Sequence, residues 1–127
     1  MKNLILNYGL IIVSALADSY AAFIVKMQFN KLGKMDFSSF GGFLNYLGNF
    51  FKSPLLITAV IAFVLAPGLW FIALNKIQLS IGYPMLVGFH LLFILVFGLF
   101  FLGEGMTINK AIGCILILVS LYFFTRE

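Results

Sequence analysis

The chain has 127 residues, of which 63% are apolar and 9% charged, with a net charge of +4. Soluble proteins carry roughly 25% charged residues, so these few charges exclude a soluble surface of this size. With no polar surface to present a basic patch, they also exclude a nucleic-acid partner.

A helix needs about 20 mostly apolar residues to cross a bilayer. Four stretches meet that demand: Leu4 to Val25, Pro54 to Leu74, Ile81 to Leu102 and Ile108 to Phe124. They predict an all-α integral membrane protein, a four-transmembrane-helix bundle forming a single domain over residues 1–127. The sixteen phenylalanines suit a surface facing acyl chains. Met1-Lys2-Asn3 ahead of Leu4-Ile5-Leu6 has the form of a signal-peptide start. The apolar run is too long for one, however, and cleavage near Ala15-Leu16-Ala17 would put Asp18 at a terminus. The segment is read as a retained first helix.

In span one, Asp18 has no other charge nearer than Lys26. A central aspartate costs about 2.5–3.5 kcal/mol on insertion scales. It is therefore expected to face the bundle interior or a wet cavity, binding substrate or protons. Asn7 and Ser14 fall on the same helical face, and Ala21 and Ala22 extend it with small side chains. The alternatives are a neutral aspartic acid in an interhelical hydrogen bond, or a shallow residue snorkelling outward.

The first connection, Lys26 to Ser53, carries Lys26, Lys31, Lys34, Asp36 and Lys52. Within it, residues 37–51 place Phe37, Phe40, Leu44, Leu47 and Phe51 at helical spacing, with Ser38, Ser39, Asn45 and Asn49 largely between them. This pattern predicts an amphipathic helix in the membrane interface; a short helix packed on the bundle is the competing reading. In span two, Pro54 suits a first helical turn, and Pro67-Gly68 is expected to kink the middle. Trp70, Asn75 and Gln78 read as interfacial residues.

Span three holds His90, the single histidine, with Tyr83 seven residues earlier on the same face. Together they supply hydrogen bonds to a polar ligand, or His90 shares a proton with Asp18. The alternatives are a packed histidine and an interfacial tyrosine anchor. Tyr83-Pro84 is expected to break the start of the helix. One histidine and one aspartate are too few to hold a metal, and neither a metal nor a cofactor is expected. Glu104, in the turn before span four, is read as stabilising the following helix N-terminus. In span four, Gly113 and Ser120 lie on one face near Ala111 and suit a helix–helix seam between two subunits. Cys114, the one cysteine, excludes an intramolecular disulfide and a Cys-based zinc site.

Orientation is read from lysine and arginine. Lys26, Lys31, Lys34, Lys52 and Lys110 share one side, against Lys2, Lys76 and Arg126 on the side of both termini. This small bias sets both termini outside, with dual insertion or a partner of opposite bias as the alternatives. No Gly-rich phosphate loop, convergent Ser-His-Asp set or pair of carboxylates is present, so neither an enzyme nor a nucleotide-driven pump is expected within the chain.

These residues resemble the small multidrug resistance family of the drug/metabolite transporter superfamily. Asp18, eight residues before Lys26, resembles that family's essential membrane glutamate ahead of a helix-end lysine. Gly82-Tyr83-Pro84-Met85 looks like its ligand-contacting tyrosine segment. Gly103-Glu104-Gly105-Met106-Thr107 resembles the turn before the superfamily's last helix, and Gly113 falls at its dimer glycine. The chain departs from drug exporters in Asp18 itself, in Leu86 where they have a tryptophan, in His90, and in a longer first connection. Those departures, and Leu79-Ser80 ahead of the tyrosine-proline pair, are closer to the small flippase subunits for polyprenyl-phosphate-linked sugars, of the aminoarabinose-phosphoundecaprenol type.

The resemblance implies a transporter subunit in a bacterial-type cytoplasmic membrane, working as a homodimer or as a heterodimer with a similar small subunit. Its implied substrate is a lipid-linked sugar whose phosphate is drawn by Lys26, Lys31, Lys34 and Lys52. For those lysines, orientation and ordinary contact with membrane lipids are the alternative. Two other functions stand beside the flippase: a proton-coupled exporter of small organic cations, and a non-transporting accessory membrane subunit.

Overall fold

The computed structural model describes residues 2–35 and 37–126, with side chains from residue 5 onward. The described residues form five helices and no strand: α1 (Lys2–Leu32), α2 (Phe40–Phe51), α3 (Pro54–Leu74), α4 (Leu79–Phe101) and α5 (Ile108–Phe124). Three of them contain stretches long and apolar enough to cross a membrane: Ile5–Leu32, Pro54–Leu74 and Leu79–Phe101.

α1 corrects the expected first boundary. No proline occurs from Lys2 to Leu32, and the helix runs through all 31 residues, Gly9 included. Lys26 and Lys31 therefore belong to its last turns and not to a connection. The stop is Gly33, which takes φ +80° while its N–H bonds the carbonyl of Phe29 at 3.0 Å. Only glycine adopts that left-handed geometry without a Cβ penalty.

α2 is capped by Ser39, whose hydroxyl accepts from the Gly42 N–H at 3.1 Å. One side of α2 packs on the bundle. Phe50 is buried and its ring lies tilted against Phe29 at 5.2 Å between centroids, and the Tyr46 hydroxyl donates to the Gly33 carbonyl at 2.9 Å. Phe40, Leu44 and Phe51 face outward instead.

α3 starts with Pro54 at its first turn and continues without interruption through Pro67. α4 likewise runs through Pro84, so Tyr83-Pro84 does not break it. The helix begins at Leu79, and the N–H that Pro84 lacks would have met Ser80, in the exposed first turn, where an unpaired carbonyl costs little. The cap of α5 is Thr107, whose hydroxyl accepts from the Lys110 N–H at 3.2 Å. Glu104 lies three residues ahead of that cap. It folds back on α4 at Gly98, where an added Cβ would lie 2.9 Å from its Oε2, and it pairs with Lys110 at 3.6 Å.

α1 lies at the centre, packed along α3 on one side and α4 on the other, while α3 and α4 barely touch and α5 packs on α4 alone among the described helices. Small side chains make the close approach: Ala15, Ser19 and Ala21 of α1 and Ala59, Ala66 and Ala73 of α3 are buried. Ser14 donates to the Ala66 carbonyl at 2.7 Å, tying α1 to α3 beside Pro67. Larger residues fill the end of the bundle, where Ile11, Ile77, Met85 and Leu121 cluster. Outward positions of α3 are almost all apolar and exposed, Phe63, Val64 and Leu65 among them. Such a surface suits acyl chains and is unfavourable in water.

Candidate functional site

Asp18 stands at the middle of Ile5–Leu32, and His90 at the middle of Leu79–Phe101. Where α1 meets α4 these two residues face each other. Asp18 Oδ2 lies 3.0 Å from His90 Nδ1, and Ser19 Oγ lies 3.2 Å from the same nitrogen. Ser19 is fully buried. Its hydroxyl has the Ala15 carbonyl at 2.6 Å and the His90 carbonyl at 3.2 Å as acceptors. Ser19, small and buried, is the α1 residue whose hydroxyl reaches the backbone of α4 here.

Asp18 and His90 line one side of a groove of about 560 Å³ between α1, α2, α3 and α4. The rest of the lining is hydrocarbon: Ala21, Ala22 and Val25 of α1, Ala59 and Phe63 of α3, and Phe50 of α2 close its sides. Two of these, Ala21 and Ala22, are the small residues expected to extend the face of Asp18. The side chain of Asp18 is 43% exposed and that of His90 26%. Phe63 and Phe51, both lining the groove, are exposed. The arrangement therefore offers two polar groups within an otherwise oily trough, suited to an amphiphile with a small hydrogen-bonding part.

The other expected site residues go elsewhere. Tyr83 does not join Asp18 and His90. It lines a separate hollow of about 300 Å³ between α4 and α5, together with Ser120, and its ring lies 6.2 Å from Trp70. Tyr83 and His90 do share a face of α4, but two turns (about 10 Å) separate them, and the neighbouring helices change over that length. Ser14 is spent on the Ala66 carbonyl. Asn7 is buried, eleven residues from Asp18, or about 16 Å along the helix. Neither lines the groove.

Lys26 and Lys34 border a common hollow with Asn30, Phe29 and Phe37, of about 620 Å³. Lys26 also borders a smaller one beside Glu104. Lys31 and Lys52 are exposed and line neither. Gly113 has open space where a Cβ would stand, and Ser120 is exposed.

Ser19 escaped the sequence reading. A serine within a helix usually bonds its own preceding turn, as Ser19 does, and so reads as neutral. The available signal was its place beside Asp18 in a span otherwise poor in polar residues.

No family model and no solved structure matches the chain. A protein of Sinorhizobium fredii, "Uncharacterized protein y4nH", is 29% identical over 80 residues, covering 63% of this chain and 68% of that protein.

Proposed function

We propose that this chain is one subunit of a paired transporter of the small multidrug resistance and drug/metabolite type, translocating a polyprenyl-phosphate-linked sugar across a bacterial cytoplasmic membrane. One observation carries the reading: Asp18 and His90 pair at the middle of two membrane-length helices and open on a groove with otherwise hydrocarbon walls. An ionisable pair at that depth is costly, and such residues mark substrate or proton pathways. The exposed lining of the groove at Phe51 and Phe63 lets a lipid-borne substrate enter sideways from the bilayer.

α5 serves as a fourth span in this reading. Its 17 apolar-rich residues reach about 25 Å, at the short end of the spanning range. The outward phenylalanines of α2 lie at the headgroup boundary, and Lys26 and Lys34 attract the lipid phosphate. Two subunits are needed because these helices line only part of a pathway, and alternating access rocks one half against the other. Gly113 and Ser120 supply the seam, with an identical or a similar small subunit.

A second reading, a proton-coupled exporter of small organic cations, draws on the 3.0 Å contact between Asp18 and His90, where a proton and a cation would compete. Proteoliposomes separate the two. Scrambling of a fluorescent polyprenyl-phosphate-linked sugar, lost in Asp18→Ala, supports the flippase. Proton release on adding tetraethylammonium, without scrambling, supports the exporter. Neither activity in the folded pair rejects both and leaves an accessory subunit.

A further inference from the structure

The contacts around His90 favour one tautomer of its ring. A hydroxyl has one hydrogen to give. The closest acceptor to the Ser19 hydroxyl is the Ala15 carbonyl at 2.6 Å, against 3.2 Å for the His90 carbonyl. Toward Nδ1 it therefore presents a lone pair, at 3.2 Å. The other neighbour of Nδ1 is the Asp18 carboxylate at 3.0 Å, also an acceptor when ionised. Between an ionised Asp18 on one side and the Ser19 lone pair on the other, Nδ1 is the donor. In the neutral ring Nε2 then carries a lone pair, and it has no partner among the described residues. His90 itself lines the groove.

From this geometry we infer that His90 Nε2 is the ligand-binding atom of the groove. It accepts a hydrogen bond from a hydroxyl or ammonium group of an amphiphile, and Asp18 and Ser19 act as positioning residues that hold the ring in its Nδ1–H form. The second carboxylate oxygen of Asp18 adds a further acceptor, so a phosphate, itself an acceptor, is disfavoured at this point. The inference rests on reading the groove as a ligand site and not on which substrate crosses the membrane. For a lipid-linked sugar it assigns the sugar hydroxyls, and not the phosphate, to the pair at mid-membrane. The basic hollow at Lys26 and Lys34 begins eight residues beyond Asp18, about 12 Å along α1.

Because His90 is the single histidine, ¹⁵N-histidine labelling of the full chain in nanodiscs reports this ring alone. The expected spectrum shows a protonated Nδ1 and an unprotonated Nε2. Asp18→Ala, with helicity checked by circular dichroism, removes the charged acceptor and shifts the tautomer ratio toward Nε2–H by about tenfold or more. Octyl glucoside (hydroxyl head) or dodecylammonium moves the Nε2 resonance, and whichever acts identifies the donor class. Dodecyl phosphate leaves it in place.

A wild-type ring with the proton on Nε2 overturns the inference whatever binds. A response to dodecyl phosphate alone also overturns it. The expected tautomer with no response to either donor probe overturns the ligand assignment, and the reading of the groove as a ligand site falls with it.

Discussion

Ser14 and Asp18 sit one helical turn apart, yet their side chains do different work. The Ser14 hydroxyl is committed to the Ala66 carbonyl, whereas the Asp18 carboxylate borders the groove. Ser14→Ala is expected to lower stability by roughly 0.6 kcal/mol, the average for such bonds in membrane helices, measured by reversible unfolding in mixed micelles. Ligand affinity in the groove should stay unchanged. Asp18→Ala should do the reverse, weakening binding of an ammonium or hydroxyl amphiphile about tenfold, the worth of a hydrogen bond to a charged group. Tyr83→Phe should leave that affinity within about twofold, because Tyr83 lines the other hollow. A large loss in Tyr83→Phe would mean the two hollows form one site. Asp18 and His90 were legible in the sequence because polar groups at the middle of apolar runs are expensive. The absence of Tyr83, Ser14 and Asn7 from the groove was not, since sharing a helical face does not settle which neighbouring helix that face meets.

At the scale of elements, the two ends of the bundle test how the helices are stopped and joined. Gly33 ends α1 at φ +80° with open space around its missing Cβ. Gly33→Ala therefore costs backbone strain alone, about 1–2 kcal/mol, seen as a lowered thermal midpoint. Gly88 differs. A Cβ there would meet Leu121 Cδ2 at 2.8 Å and Cγ at 3.1 Å. Gly88→Ala is expected to push α5 from α4 at a cost of about 1–3 kcal/mol, and combining it with Leu121→Ala should recover part of the loss in a double-mutant cycle. Additive effects would show that the two residues do not touch. The apolar runs predicted α3 and α5 end for end, because hydrophobic length agrees there with Pro54 in the first turn of α3 and the Thr107 cap of α5. They misplaced the end of α1, since helical residues such as Lys26, Met27 and Gln28 extend the helix past the apolar run. They also gave Pro84 too much force, since a proline in the first turns displaces one hydrogen bond and no more.

For the molecule as a whole, the decisive question is how many times the chain crosses. Single cysteines in a Cys114→Ala background, probed with an impermeant maleimide, answer it. If α5 spans, Thr125→Cys and Asn75→Cys are labelled from one side of the membrane and Met106→Cys from the other. Labelling of Thr125→Cys and Met106→Cys from the same side would rule out the fourth span. Labelling of every position from both sides would show dual insertion, which the small lysine imbalance allows.

Composition and the length of the apolar runs together decided that this is a membrane-type, helical chain: 63% apolar and 9% charged residues cannot cover a soluble surface, and of the helices and closed barrels that satisfy backbone groups in lipid, runs of about 20 apolar residues fit helices. The sequence also determined which side chains were costly enough to matter. Only the packing decided their company. The packing of α1 against α4 brings His90 to Asp18 and Ser19, while Tyr83 meets Trp70 and the hollow beside α5. Contact between helices depends on where their axes cross, and no periodicity along a single helix records that.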